Sequence, residues 1–170
     1  MTKKIFRQYL EIKSLKEVRA SKKPLDIISV KLVQPKDFQL NKFLYKQVGK
    51  KYEWKDRLVW TDKNWTDYVF NKYLLTFVLK KDEDIAGYFE LIFHKNINEV
   101  EIAYLGILEE YFGKKLGGYL LTEALKESFS TLGAKRVWCH TCSLDHKNAL
   151  KNYVARGMNI FKSETLIRNN

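Results

Sequence analysis

A chain of 170 residues that is 45% hydrophobic, 30% charged and 14% aromatic carries enough apolar material for one ordinary globular domain over 1–170. Such a domain buries roughly 70% of its unfolded surface. With 8 Gly, 2 Pro and no low-complexity tract, collagenous, linker-dominated and disordered classes are excluded. The formal net charge of +11 is regional, because residues 1–51 hold 14 Lys and Arg against 4 Asp and Glu, while the remainder is nearly balanced. A basic third of this kind attracts acidic partners, yet it lacks zinc-finger spacing, an RNP-like aromatic strand or an Arg-rich helix. A solvated lysine surface is the favoured reading, with nucleic acid a possible but not a favoured partner.

The longest uncharged apolar stretch, 102–108, is far shorter than the ~20 residues of a membrane helix. Arg7, Glu11 and Lys13 interrupt any apolar signal segment near the start. The expectation is a soluble, cytoplasmic protein without a membrane partner, monomeric or homodimeric. Its 2 Cys, Cys139 and Cys142, form a C-x-x-C within a strand-like segment. Alternation places them on opposite faces, so the reading is two thiols without a metal site.

In chain order, residues 4–12 and 25–33 read as strands joined by a Lys- and Ser-rich connection that ends at Pro24. After Pro35, the spacing of Phe38, Leu40, Phe43, Leu44 and Val48 predicts a helix that stops at Gly49. A second helix is predicted after Asp62, with Trp65, Tyr68 and Val69 on one side. The period then changes: 73–79, 85–93 and 100–108 read as an antiparallel meander. Beyond Gly113, a helix from Leu116 to near Gly133 leads to a strand at 135–141, a helix at 146–156 and a last strand after Gly157. A strand that reaches the next through a helix should cross over as a right-handed βαβ unit. The fold class is therefore α+β, of the α/β sandwich type.

Two segments carry chemistry. Residues 101–121, EIAYLGILEEYFGKKLGGYLL, read as a strand, a loop with Gly113, Gly117 and Gly118, and a helix start. Free N–H groups and the positive end of a helix dipole at such a start can hold a pyrophosphate, and Lys114 and Lys115 add charge. This loop resembles the acetyl-CoA loop, Q/R-x-x-G-x-G/A, of the GNAT superfamily of N-acetyltransferases, with Gly117 at the final glycine. Phe112 stands where Gln or Arg is usual, and Lys115 replaces the middle glycine. The second segment, Asn148-Ala149-Leu150-Lys151-Asn152-Tyr153-Val154-Ala155-Arg156-Gly157-Met158, looks like the superfamily's A-L-x-x-Y-x-x-x-G-F helix and turn. The resemblance covers about 73–165 and matches 1–50 only loosely.

The resemblance implies a mixed, mostly antiparallel sheet with flanking helices and a splayed central strand pair, 100–108 and 135–141. It further implies transfer of an acetyl group from acetyl-CoA, as co-substrate, to a primary amine. Leu105, Gly106, Ile107 and Leu108 would hold pantetheine by their backbone, with Gly106 at the bulge that opens the pair. Gly113, Lys114, Lys115, Leu116, Gly117 and Gly118 would take the pyrophosphate, with His146 and Asn148 at the cofactor's edge and Asp145 capping the last helix. Glu101 and Tyr153 would be the base and acid, since Glu101 lies 16 residues before Gly117, near where histone acetyltransferases of the superfamily carry their basic glutamate. Glu90 could share or replace that basic role. Ten of the 24 aromatics lie in 43–77, which makes Tyr52, Trp54 and Arg57 the acceptor-site candidates. The alternative is a non-catalytic module of the same fold whose basic third docks nucleic acid or ribonucleoprotein.

Overall fold

The computed structural model describes residues 2–25 and 27–169. Met1, Asp26 and Asn170, which the expected domain 1–170 and the expected strand 25–33 include, lie outside the described residues. Seven strands form one mixed sheet: β1 (Thr2–Ile12), β2 (Ile28–Leu32), β3 (Leu74–Lys81), β4 (Asp84–His94), β5 (Glu99–Ile107), β6 (Arg136–Cys142) and β7 (Asn159–Asn169). Their order is β2-β3-β4-β5-β6-β1-β7, and every neighbouring pair is antiparallel except β5 with β6. Four helices flank it: α1 (Phe38–Gly49), α2 (Asp62–Val69), α3 (Leu116–Lys126) and α4 (Ala149–Ala155).

Helix starts follow from local chemistry. Asp37 caps α1 by accepting from the N–H groups of Gln39 and Leu40, and Thr61 with Asn64 closes a reciprocal capping box on α2. Period-2 alternation in β3 and β4 then sends side chains to two different layers. Leu74, Val78 and Tyr88 meet Leu44, Tyr45, Val48 and Trp65 of α1 and α2, whereas Phe77, Leu79, Phe89 and Leu91 meet Leu120, Leu121 and Ala124 of α3. Both faces of the central strands are thus covered, and burying each of these side chains contributes about 1.5–3 kcal/mol. The helix after Gly113 is shorter than expected, because α3 passes into a π-helical turn over Glu127–Thr131.

The first two strands lie far apart. β2 is one edge of the sheet, whereas β1 lies between β6 and β7 at the other side, pairing with β7 from Thr2 to Glu11. The connection between them therefore crosses the α3/α4 face. It is held there by Arg19 N–H to Arg156 O at 3.0 Å and Ser21 N–H to Thr122 Oγ1 at 3.0 Å. Gly157 (φ +102°) permits this crossing, since a Cβ there would lie 2.2 Å from Glu17 O. Among the described residues no helix is long and apolar enough to cross a membrane.

Candidate active site

β5 and β6 pair over only three positions, Glu99↔Arg136, Val100↔Val137 and Glu101↔Trp138. Beyond these the strands separate, while β5 stays paired with β4 through Ile107↔Gly87. The edge of β5 that faces β6 is therefore unpaired beyond the split. The register between Glu90↔Tyr104 and Leu91↔Ile102 leaves Ala103 as the extra residue. The bulge is thus at Ala103 and not at Gly106, a correction with a clear cause. Gly106 serves close packing: a Cβ there would lie 2.3 Å from Val48 Cγ1, so its absence lets α1 settle on β5.

After β5 the chain makes a short turn over Glu109–Tyr111 and enters α3 through Gly113 (φ +78°) and Lys115 (φ +57°). The conformation at Lys115 is left-handed, the region glycine favours and a lysine adopts at a cost of about 1–2 kcal/mol. Lys115 is the residue before α3, and no side chain caps that helix. Its first-turn N–H groups are left for a ligand. Gly113 has open space around it, and a Cβ at Gly117 would meet only Asn152 Nδ2, at 3.7 Å. Asn152 Nδ2 donates to Gly117 O at 3.1 Å and so ties α4 to the loop.

Between the split and this loop lies a cleft of about 510 Å³. Leu105, Gly106 and Ile107 form one wall, and Gly113, Lys115, Leu116, Gly117 and Gly118 form the end near α3. His146, Asn148 and Tyr153 line the α4 side, and Tyr52 and Trp54 line the opposite lip. Leu108 and Lys114 stand outside it: Leu108 packs beneath α1, and the Lys114 ammonium lies 5.0 Å from the centre of the Tyr111 ring. Gly118 has a packing role as well, since a Cβ would lie 2.5 Å from Arg156 Nη1.

Tyr153 reaches the cleft from the core side, and burial holds its hydroxyl well above the ordinary tyrosine range. Its O–H is therefore a proton donor at neutral pH. Glu101 lies at the closed end of the split, on the opposite face of the sheet, with Oε2 3.0 Å from His94 Nε2. His94 in turn stacks on Trp138 at 6.0 Å.

Arg57, expected at the acceptor, and Glu90, expected to bind substrate and to share or replace the basic role, do not face the cleft. Glu90 is fully buried, accepting from Asn41 Nδ2 at 2.8 Å, Tyr68 Oη at 2.6 Å and Arg57 Nη1 at 3.0 Å. Burial opposes the Arg57 charge, but the adjacent Glu90 outweighs it, and the guanidinium pKa rises above its ordinary value. A carboxylate in the interior persists only when paired in this way, which is why Glu90 cannot serve an acceptor from the cleft.

Asp145, expected to cap α4, does not do so: α4 starts at Ala149 with Asn148 in the cap position. Asp145 instead accepts from Thr141 Oγ1 at 2.7 Å and Cys142 N–H at 2.9 Å, fixing the turn after β6. His146 takes a capping contact of its own, accepting from Asn148 N–H at 3.1 Å. Cys139 and Cys142 point to opposite faces as alternation requires, Cys139 buried with its thiol pKa raised by burial. Among the described residues no group of three or more His, Cys, Asp and Glu side chains is placed to hold a metal ion. Tyr111 and Asn152 line the cleft without having been singled out by sequence, and Asp145 lines it too. For Asn152, its spacing one residue before Tyr153 on the motif helix was the available signal.

A sheet that splits between two parallel strands, with a glycine loop and an uncapped helix at the mouth, is thus the frame of the site. The model of the acetyltransferase (GNAT) family matches residues 38–158, and the chain belongs to that family. A GCN5-related N-acetyltransferase from Sphaerobacter thermophilus superposes with a TM-score of 0.75 at 16% identity, covering 97% of this chain and 51% of that one. The spermidine/spermine N-acetyltransferase SpeG from Vibrio cholerae, in mutant form, gives 0.57 at 17% identity over 82% and 93%. An aminoglycoside acetyltransferase from an uncultured soil metagenomic sample gives 0.61 at 14% identity over 76% and 86%. The chain spans between half and two thirds of the length of several similar structures, including one of unknown function from Staphylococcus epidermidis at 62%. No curated protein sequence matches it significantly.

Proposed function

We propose that the protein is an acetyl-CoA-dependent N-acetyltransferase that acetylates a primary amine by direct attack. The observation that carries this reading is the split between β5 and β6 opening onto an uncapped α3, with Tyr153 on one side of the sheet and Glu101 on the other. The cleft suits the cofactor: the β5 edge offers unpaired backbone, Gly113 and Gly117 leave a cradle, and Lys115 supplies charge. Bound acetyl-CoA would supply an activated acetyl thioester. Backbone N–H groups of Leu105 to Ile107 would orient and polarise it.

The protein's own groups then divide the proton work. Tyr153 holds a proton on Oη for the departing thiolate, and Glu101 presents a carboxylate for the proton of the amine. Tyr52 and Trp54, at the lip, shield the site from water. The supporting experiment is a thermal shift with acetyl-CoA followed by a transfer screen over an amine library. Stabilisation by the cofactor with turnover of at least one amine is expected; a protein that neither binds acetyl-CoA nor transfers the group overturns the reading.

A further inference from the structure

Three side chains from neighbouring strands meet at the closed end of the split. The pairings Ile92↔Glu101 and Glu101↔Trp138 set β4, β5 and β6 side by side there, and His94, opposite Glu99, lies one diagonal from Glu101 on the same face. His94 Nε2 stands 3.0 Å from Glu101 Oε2. The imidazole also reaches across β5 to stack on Trp138, with ring centres 6.0 Å apart and planes 19° apart. Its plane is thus held by Trp138 and its edge by one carboxylate oxygen.

The charges along β5 set this carboxylate apart. Glu99, two residues earlier on the same face, accepts from Arg136 Nη1 at 2.8 Å, and Glu11 of β1 takes the same guanidinium through Nε. Glu101 has no Lys or Arg partner among the described residues, although the chain carries 31 of these against 20 Asp and Glu. Its second oxygen, Oε1, has no hydrogen-bond partner among the described residues either. A guanidinium would hold the carboxylate as firmly, but it would favour the charged form and weaken the base. An imidazole can donate while neutral, so it fixes the orientation at a smaller loss of basicity. Because a carboxylate only accepts, the hydrogen of this contact is assigned to Nε2.

We infer that His94 is the positioning residue of the base: its Nε2–H holds Oε2 of Glu101, Trp138 holds the imidazole, and Oε1 is left to take the proton of the attacking amine. This rests on the acetyl-transfer reading with Glu101 as base and adds the residue that aims it. In the step itself, the N–H proton of the amine passes to Oε1 and its bonding pair stays on nitrogen. Nε2–H remains on Oε2 throughout, so His94 neither gains nor loses a proton.

Two variants separate the hydrogen bond from the packing, measured with an amine found in the transfer screen. His94→Phe keeps a ring against Trp138 and removes the donor, whereas His94→Gln gives up the ring and offers an amide N–H at a similar reach. The His94 side chain is 37% exposed, so both should fold, which melting temperatures check. Expected is a kcat about 10- to 100-fold lower in His94→Phe, as for a misplaced reacting group, with the acetyl-CoA thermal shift and the KM of the amine nearly unchanged. His94→Gln should recover much of the rate. In a Glu101→Gln background, His94→Phe should lower kcat no further, because the group it aims is gone; this double variant decides where the Gln amide fails to reach Oε2. A rate that follows the ring, kept in His94→Phe and lost in His94→Gln, overturns the assignment, as do losses that multiply in the double variant. If Glu101→Gln is slow and His94→Phe is not, His94 has no positioning role while Glu101 remains the base. If the wild type transfers to no amine, this assignment and the acetyl-transfer reading fall together.

Discussion

Arg57 donates from Nη1 to Glu90 Oε2 at 3.0 Å inside a cage of aromatic rings. The guanidinium carbon lies 3.9, 4.3 and 4.7 Å from the ring centres of Tyr68, Tyr104 and Trp60. This pair fixes the segment between α1 and α2 to β4 and so holds Trp54 at the lip of the cleft. Removing one partner strands a buried charge, which costs about 3–5 kcal/mol. Glu90→Gln and Arg57→Met are each expected to destabilise by that order in urea unfolding. The double variant R57M/E90Q should lose clearly less than the sum of the two, because no lone charge remains. Additive losses would show that the two residues act independently.

Gly106 and Val48 form the second contact that shapes the cleft wall. Gly106→Ala places a methyl group 2.3 Å from Val48 Cγ1, so α1 must move or β5 must bend. Overpacking of this kind typically costs about 1–3 kcal/mol. The expected result is a lower melting temperature, recovered in part by adding Val48→Ala. Failure of Val48→Ala to rescue would place the strain elsewhere in the strand.

Much of this architecture was legible in the sequence, and the residues explain why. The meander, α3 and the strand carrying Cys139 followed from a change of period at Tyr73 and from polar connections at 80–84 and 94–99. The strand boundaries fell within a few residues of those observed, whereas α3 ends at Lys126 rather than near Gly133. The position of β1 was hidden, because alternation specifies which face a residue takes but not which strand it joins. Only the three-dimensional crossing, with Glu17 against Gly157, reveals that β1 enters between β6 and β7. Arg57 misled for a related reason. In sequence it is a charge amid aromatics and reads as a ligand contact, whereas its partner Glu90 lies on a strand 33 residues later and draws it inside.

The glycine loop is tested by charge. Gly117 has room for a side chain, so Gly117→Ala should fold normally and Gly117→Glu should fold but place a carboxylate at the uncapped start of α3. A negative group there competes for the N–H groups and the dipole that would hold a pyrophosphate. The acetyl-CoA thermal shift is expected to persist in the first variant and to vanish in the second. A retained shift in Gly117→Glu would move the cofactor away from this loop. Lys115→Gly, by relieving the left-handed lysine, should raise stability by up to about 1 kcal/mol.

Tyr153 and Glu101 are tested by rate. Tyr153→Phe removes the only proton the side chain can give while preserving its packing in the core. Turnover should fall by about 10² to 10⁴ with acetyl-CoA affinity nearly intact. Glu101→Gln should lower turnover similarly and recover at high pH, where the amine is already free. Wild-type rates in both variants would remove these two residues from the mechanism.

The pH dependence of stability singles out His140. Desolvation where the ring packs against its neighbours, Tyr9 among them, and then Arg7, hold its pKa below the ordinary histidine value, outweighing the opposing influence of Glu101, Asp145 and Asp56. The unfolded chain therefore takes up this proton before the folded one does. As pH falls through about 6.5, the unfolded state gains protons and the folded state is penalised, whereas well above 6.5 both states are neutral here and the penalty is absent. In urea titrations from pH 5 to 8, the wild type should lose stability relative to His140→Gln below about 6.5 and run parallel to it above about 7.5. A wild type that instead gains on the variant at low pH would mean that the imidazolium is stabilised in the folded state, with the carboxylates outweighing burial and Arg7.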